Sequence, residues 1–149
     1  MKKLIIMAAM TVLAASAMAT EVGIRGTHTP DASADTVGVT LGKKFGAYGV
    51  EAAFDRGTRG NLTSNKYSLV GSYDMYKVNG ITFAPKVGVS FIDPSNSGRN
   101  GYALSAGVGA TYPLTKEISL VADYAYQRGQ YRVRSFNGNQ VSVGAKYSF

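Results

Sequence analysis

The chain has 149 residues, no cysteine, ten tyrosines, six phenylalanines and a formal net charge of +7 at pH 7. This length suits one domain, and the absence of cysteine excludes a disulfide scaffold and a metal site built on thiolates. The basic residues are interspersed with acidic ones, which excludes the continuous basic stripe of a nucleic-acid-binding protein.

The first nineteen residues have the three parts of a secretory signal peptide. A basic start precedes an apolar run from Leu4 to Ala15, and small residues follow up to Ala19. A membrane anchor is the alternative, but the apolar run is shorter than the ~20 residues that a spanning helix needs. We therefore predict a signal peptide over 1–19, cleaved after Ala19, and one domain over 20–149. Loss of the two lysines of the signal peptide would lower the formal charge from +7 to +5.

Apolar and polar side chains alternate with a period of two throughout the predicted mature chain, which is typical of β-strands with one apolar face. In the last segment, Val141, Val143, Ala145, Tyr147 and Phe149 alternate with Ser142, Gly144, Lys146 and Ser148. Eight such segments follow one another, and no helical pattern competes with them. In chain order they span residues 21–28, 37–43, 47–56, 66–77, 81–91, 102–112, 118–127 and 141–149.

The connections between these segments alternate in predicted length. Tight turns are expected at Phe45-Gly46, Asn79-Gly80 and Thr115-Lys116, and Asn-Gly is a favoured two-residue hairpin turn. The other four connections are longer and more polar, at residues 29–36, 57–65, 93–100 and 129–139. Short turns on one side and longer loops on the other, with an even strand count, are the layout of a transmembrane barrel. The sequence therefore predicts an all-β, eight-stranded, antiparallel up-and-down barrel.

The distribution of side chains between the two faces distinguishes a membrane barrel from a soluble one. A soluble barrel such as a lipocalin buries its larger apolar side chains inside. Here the apolar faces are long and free of charge, whereas the polar faces carry glycine, serine, threonine and isolated charges that suit a narrow interior. Aromatic residues stand at both ends of the apolar faces, as expected at the two membrane interfaces. We assign Tyr48, Phe83, Tyr112, Tyr147 and Phe149 to the periplasmic end, and Phe54, Tyr67, Phe91, Tyr102, Tyr124 and Tyr126 to the outer end.

The signal peptide, the eight alternating strands and the closing Lys146-Tyr147-Ser148-Phe149 resemble the small outer membrane barrels of the OmpA transmembrane, OmpX and opacity-protein type. The resemblance implies a monomer in the bacterial outer membrane, in contact with membrane lipid and lipopolysaccharide. It also implies that the barrel assembly machinery reads the aromatic C-terminal strand. Val143, Ala145, Tyr147 and Phe149 fit that assembly signal.

Ionisable residues on the predicted inward faces have both signs: Arg25, Glu51, Asp55, Asp74, Lys86, Asp123 and Lys146. An isolated charge in a low-dielectric interior costs several kcal/mol, so these groups must be paired or hydrated. We predict a network of salt bridges that fills the barrel. A gated ion path is the alternative, because charges inside a membrane often mark such paths.

The only histidine, His28, lies where the first strand meets the first outer loop, near Asp31, Ser33 and Asp35. Some outer membrane barrels that modify lipid A use a surface histidine and serine, but a catalytic triad is recognised by geometry and not by neighbouring positions. We therefore predict a solvated histidine, no catalytic residue, no metal site and no cofactor.

The fourth outer loop and its strand ends contain the best candidate binding residues: Arg128, Tyr131, Arg132 and Arg134. Arginine pairs with phosphate through two parallel hydrogen bonds, and lipopolysaccharide at the outer surface is rich in phosphate. A solvated basic loop is the alternative interpretation. Arg56, Arg59, Lys66 and Arg99 are expected to extend a basic rim around this loop.

We therefore expect a non-enzymatic envelope protein that stabilises the outer leaflet or binds lipopolysaccharide, a host molecule or another surface ligand. An enzyme that modifies lipid A and a small diffusion pore are the alternatives. Loops of about ten residues argue against a large adhesive surface, because function on a barrel resides mainly in its loops.

Overall fold

The computed structural model describes residues 20–59, 62–94, 100–131 and 134–149. The predicted signal peptide over 1–19 lies outside the described residues. The described part is almost entirely β-strand, with one short 3-10 turn at Pro30–Ala32. It has no helix that is long and apolar enough to cross a membrane.

The strands form one antiparallel sheet in which each strand pairs with its neighbours in the chain, except that the fourth strand pairs with the sixth and not with the fifth. Pairing of the first strand with the last closes this sheet into a barrel. The strands are β1 (Thr20–Thr29), β2 (Ala34–Phe45), β3 (Tyr48–Arg59), β4 (Leu62–Tyr73), β5 (Tyr76–Val78), β6 (Ile81–Pro94), β7 (Gly101–Pro113), β8 (Ile118–Tyr131) and β9 (Arg134–Ser148). Both β4 and β5 pair with β6, so they form one interrupted strand of the barrel. The prediction of an eight-stranded up-and-down barrel is confirmed.

The two faces of the strands differ in exposure, as the period-two pattern predicts. On β7, Ala103 is 3% exposed and faces the interior, whereas its neighbour Leu104 is 66% exposed and faces outward. Val87 on β6 and Val143 on β9 are exposed in the same way. Because successive side chains of a strand point to opposite faces, the barrel has a continuous apolar outer surface and a polar interior. Such a surface requires hydrocarbon around it.

Aromatic side chains form rows at the two ends of the apolar surface. At the outer end, the ring centroids of Phe54 and Tyr67 are 5.1 Å apart, and those of Phe91 and Tyr102 are 5.6 Å apart. Tyr67 and Phe91 are cross-strand neighbours, so this row runs without a gap across β3, β4, β6 and β7. Phe91 is only 5% exposed, because it lies between two other rings of the row.

The aromatic row at the periplasmic end also includes Tyr73, which is not among the residues predicted for it. The ring of Tyr48 lies 5.0 Å from that of Tyr73, which is the last residue of β4. Tyr147 and Phe149 have ring centroids 5.7 Å apart at the same end. The apolar surface therefore has aromatic borders on both sides, which is typical of a transmembrane barrel.

The fourth strand is interrupted between β4 and β5, although the alternation predicts one strand over 66–77. Ser72 pairs with Lys86 and Tyr76 pairs with Phe83, so three residues of the chain face only two residues of β6. Pro85 lies opposite this extra residue and has no N–H with which to continue the ladder. The result is a β-bulge at residues 73–75, where the Asp74 N–H donates to the carbonyl of Ala47 instead.

Two of the four predicted long outer loops, at 57–65 and 129–139, are largely strand in their described residues, so the prediction of loops there is wrong. Most of the predicted loop at 93–100 lies outside the described residues. Thr29 still pairs with Ala34 at the end of the first hairpin, and Tyr131 still pairs with Arg134 at the end of the last. Beyond the aromatic row both faces of a strand meet water, so the apolar alternation stops although the backbone hydrogen bonds continue. The predicted Asn79-Gly80 turn is present, with positive φ at both residues (51° and 82°), as a type I′ turn requires.

Val87 provides a test of which face of the strands is in contact with lipid. It lies midway between Phe83 and Phe91 on the outward face of β6. We expect Val87→Arg to lower the free energy of unfolding by about 2–4 kcal/mol, because the charge enters the middle of the bilayer. Gln130→Arg, at an exposed outer position, should change it by less than about 1 kcal/mol. Urea unfolding in phospholipid vesicles measures both values. Equal effects of the two substitutions would exclude lipid around Val87.

Candidate functional site

Arg25 lies at the centre of the charged interior. Its guanidinium donates from Nε to Asp55 Oδ1 at 2.8 Å and from Nη2 to Asp55 Oδ2 at 2.5 Å. Its Nη1 atom lies 3.6 Å from Glu51 Oε1. The side chain of Asp55 is 1% exposed and that of Arg25 is 14% exposed. Two parallel charge-assisted hydrogen bonds in a dry interior hold this pair in one geometry.

Two lysines form further ion pairs in the interior. Lys146 pairs with Glu51, and its Nζ atom lies 3.7 Å from Glu21 Oε2. Lys86 Nζ lies 2.6 Å from Asp123 Oδ1 on the other side of the interior. These contacts join residues from five strands of the barrel: β1, β3, β6, β8 and β9.

Asp74 was grouped with these residues in the sequence analysis but has a different partner. Its Oδ2 atom accepts a hydrogen bond from Lys44 Nζ at 2.5 Å. The two side chains are 27% and 39% exposed, so this pair lies at the more hydrated periplasmic rim. The β-bulge next to Asp74 carries the chain toward this rim.

Each of the central ion-paired residues has a glycine directly opposite it on a neighbouring strand. Arg25 is opposite Gly144, Lys146 is opposite Gly23, and Lys86 is opposite Gly107. The acidic residues follow the same rule: Glu51 is opposite Gly42, Asp55 is opposite Gly38, and Asp123 is opposite Gly109. A Cβ atom at Gly144 would lie 3.0 Å from the Cβ of Arg25, which shows how little room is left. Glycine therefore supplies the space that long charged side chains need inside eight strands.

The remaining space around the ion pairs is small and divided. One cavity of about 50 Å³ lies toward the outer end of the interior, and one of about 40 Å³ lies toward the periplasmic end. Each has room for only one or a few water molecules. Arg25 and Glu51 lie between these two cavities, so side chains fill the middle of the interior.

A larger cavity, of about 320 Å³, lies above this layer at the outer end of the barrel. We call it the mouth cavity. Its floor includes Lys66, whose Nζ atom donates to Gln127 Oε1 at 3.3 Å and to Gln140 Oε1 at 3.1 Å. The prediction that Lys66 extends the basic rim around the fourth outer loop is wrong, because its side chain lies inside the barrel. Lys66 precedes the outward Tyr67 by one residue, so it faces inward.

Two arginines lie on the outward surface just beyond the outer aromatic row. Arg56 follows Phe54 by two residues on β3, and Arg128 follows Tyr126 by two residues on β8. Both are exposed. Residues two apart share a face of a strand and lie about 6.6 Å apart along it. On both strands an outward aromatic residue is followed two positions later by an arginine. This pattern in the sequence indicates an arginine just beyond the outer aromatic row.

Only part of the predicted arginine cluster and basic rim lies within the described residues. Arg132 and Arg99 lie outside the described residues. The side chains of Tyr131, Arg134 and Arg59 also lie outside the described part, although their backbones belong to strands. Arg128 itself lies on a strand and not in a loop.

His28 faces outward at the outer end of β1. Its Nδ1 atom lies 2.6 Å from Oδ1 of Asp35, the residue directly opposite on β2, and both side chains are exposed. Ser33 ends the 3-10 turn in a left-handed conformation, with its N–H bonded to the carbonyl of Pro30. Among the described residues, no serine hydroxyl forms a hydrogen bond with His28. The His28–Asp35 pair thus has the orienting half of a triad without the nucleophile.

The buried and the exposed ion pairs allow a matched test of the interior. Arg25→Met leaves Asp55 and Glu51 without their shared cation, and we expect a loss of about 3–5 kcal/mol in the free energy of unfolding. Lys44→Met removes the cation of the hydrated rim pair and should cost at most about 1 kcal/mol. Urea titrations in vesicles compare the two. Similar costs would show that water reaches both pairs equally.

No protein-family profile matches the sequence, and no curated protein sequence matches it either. The fold, in contrast, matches many solved structures. Neisserial surface protein A (NspA) matches with a TM-score of 0.70 at 14% identity, over 88% of this chain and 95% of that one. The N-terminal barrel domain of OprF from Pseudomonas aeruginosa matches with a TM-score of 0.66 at 19% identity, over 88% and 97% of the two chains.

Two further matches show the range of proteins with this fold. The outer membrane protein OprH from P. aeruginosa has a TM-score of 0.64 at 16% identity, over 89% of this chain and 100% of that one. The outer membrane enzyme PagL has a TM-score of 0.52 at 14% identity, over 87% and 98% of the two chains. At these identities the comparison concerns the fold alone. The fold of this chain is therefore that of the small eight-stranded β-barrels of the bacterial outer membrane, as its sequence pattern predicts.

Proposed function

We propose that this protein is a non-enzymatic outer membrane barrel that binds the phosphates of lipopolysaccharide and so stabilises the outer leaflet. Residues 1–19 serve as its signal peptide, with cleavage after Ala19, and residues 20–149 form the barrel. Val143, Ala145 and Tyr147 on the outward face of β9, together with Phe149 just after it, present the C-terminal signal to the barrel assembly machinery. The barrel acts as a monomer.

The observation that carries this proposal is the position of Arg56 and Arg128. Each lies beyond the outer aromatic row, at the level where lipid headgroups replace hydrocarbon. The strand order separates β3 from β8 by three strands on either side of the barrel, so the two arginines lie on opposite sides. A guanidinium at this height can donate two parallel hydrogen bonds to a phosphate. Two such contacts hold the barrel in the leaflet from both sides.

The filled interior supports a structural role over a pore. Ion pairs link β1, β3 and β9 in one group and β6 and β8 in another, and the cavities beside them are the size of one or a few water molecules. A hydrated ion would have to break the pairs of Arg25 and Lys146 in order to pass. Breaking a buried pair costs several kcal/mol, so the paired state opposes conduction.

The proposal predicts that lipopolysaccharide stabilises the barrel through its phosphates. In vesicles that contain lipopolysaccharide, the wild-type protein should unfold at a higher temperature than in phospholipid alone. The double variant Arg56→Ala with Arg128→Ala should lose most of this increase, because hydrogen bonds to charged groups contribute about 1.5–3 kcal/mol each. The unfolding temperature is measured by electrophoresis of samples heated to a series of temperatures, because the folded and the unfolded barrel migrate differently.

Lys116→Ala is the matched control, since it removes a positive charge from an exposed periplasmic turn. It should keep the full stabilisation by lipopolysaccharide. Dephosphorylated lipopolysaccharide should stabilise none of the proteins. A double variant that gains as much stability as the wild type would contradict the proposed role of the two arginines.

The His28–Asp35 pair requires a separate test, because PagL shows that this fold can carry an enzyme. We expect expression of the wild-type protein to leave the mass spectrum of lipid A unchanged. His28→Ala should give the same spectrum as the wild type and as cells without the protein. Loss of an acyl chain that depends on His28 would contradict the non-enzymatic proposal and would favour a lipid-A-modifying enzyme.

A further inference from the structure

Lys66 differs from the other cations inside the barrel. Arg25, Lys86 and Lys146 each form an ion pair and each face a glycine across the strand. Lys66 faces Asp55 on β3 and Ile92 on β6 instead. The carboxylate of Asp55 is already bound by Arg25 through both of its oxygens. Within the described part of the chain, Lys66 forms no ion pair.

The hydrogen bonds of Lys66 leave donors unused. An ammonium has three N–H donors, and two of them are directed at the oxygens of Gln127 and Gln140. Because these amides accept through oxygen, their NH₂ groups remain to donate elsewhere. Gln127 is only 4% exposed, and its Oε1 atom is the one that accepts from Lys66. A ligand with acceptor oxygens can therefore bind the third ammonium donor of Lys66 and these NH₂ groups at the same time.

The mouth cavity has the size and the walls of a small-molecule site. Its volume of about 320 Å³ lies at the lower end of the range for ligand pockets. Lys66, Gln127 and Gln140 provide donors at one end. Phe136 and Ile92 provide apolar surface, and hydroxyl groups of Thr29, Thr36 and Ser64 also line the cavity.

A carboxylate of the cavity wall is also held in a defined position. Asp31 Oδ2 accepts a hydrogen bond from the backbone N–H of Asn139 at 2.8 Å, which fixes the 3-10 turn against β9. A carboxylate accepts hydrogen bonds only, so it suits the hydroxyl groups of a ligand. It opposes a second negative charge on the same molecule. The site therefore favours one anionic group on an otherwise neutral, hydroxylated molecule.

We propose that the mouth cavity binds a small hydroxylated anion, with its phosphate or carboxylate on Lys66, Gln127 and Gln140 and its hydroxyl groups toward Asp31. A sugar phosphate or a sugar acid has this chemistry. The site lies inside the barrel, so it is separate from the outward Arg56 and Arg128 and does not depend on their role. Lys66 and Gln140 also line the small cavity below, so a bound anion rests on the roof of the ion-paired layer.

Isothermal titration calorimetry on the refolded protein in uncharged polyoxyethylene micelles tests this site. The probes are glucose 1-phosphate, gluconate, inorganic phosphate and glucose. We expect glucose 1-phosphate or gluconate to bind more tightly than inorganic phosphate, and glucose to show no binding. Lys66→Met should weaken binding of the sugar anion at least tenfold, because a hydrogen bond to a charged group is lost.

Lys116→Met is the matched control and should keep the affinity of the wild type. The gel shift on boiling shows whether Lys66→Met still folds, and Gln127→Leu tests the same site through its amide if it does not. Equal binding of the sugar anion to the wild type and to Lys66→Met would overturn the proposal, as would equal binding of glucose. Equal binding of inorganic phosphate and glucose 1-phosphate would overturn the role of Asp31. An absence of binding by every probe at millimolar concentration would overturn the site.

Discussion

The pairing of β1 with β9 is the constraint on which the rest of this structure depends. A strand in hydrocarbon has no water for its backbone, so every N–H and C=O group within the membrane must be bonded to a neighbouring strand. Closing the sheet removes the two edges that would otherwise break this rule. Closure also divides all side chains into an outward set and an inward set. The same bond ladder thus determines both the apolar surface and the crowded interior.

Crowding explains the unusual use of glycine. Eight strands leave an interior only wide enough for side chains, and this chain fills it with charged ones. Arg25 and Gly144, or Lys146 and Gly23, share the width that two ordinary residues would occupy. The arrangement stabilises the barrel only while every charge keeps its partner, because an unpaired ion in this space costs several kcal/mol. Specific cross-strand pairing and interior electrostatics are therefore one property of the sequence.

The sequence was sufficient to predict the strands and their faces. Outward positions meet lipid and inward positions meet a polar interior, so apolar and polar residues alternate with a period of two. It was insufficient where that contrast disappears. Beyond the outer aromatic row both faces of a strand meet water, so the apolar alternation stops there. The strand ends were therefore predicted as loops, and Lys66 was predicted as a residue of the basic rim. The bulge at residues 73–75 arises from Pro85 on the neighbouring strand, and only the pairing register connects the two. Ion-pair partners such as Arg25 and Asp55 lie 30 residues apart and need that register as well.

The continuation of the strands beyond the membrane has a consequence for how this surface meets other molecules. In the first hairpin, the ladder between β1 and β2 extends to Thr29 and Ala34, and only the short 3-10 turn connects them. A protease needs an extended stretch of backbone with free hydrogen-bonding groups, and such stretches occur mainly at mobile loop tips. The backbone of this hairpin is already occupied by its neighbours. Digestion at the cell surface must therefore first open the ladder, so this hairpin survives conditions that cleave flexible loops.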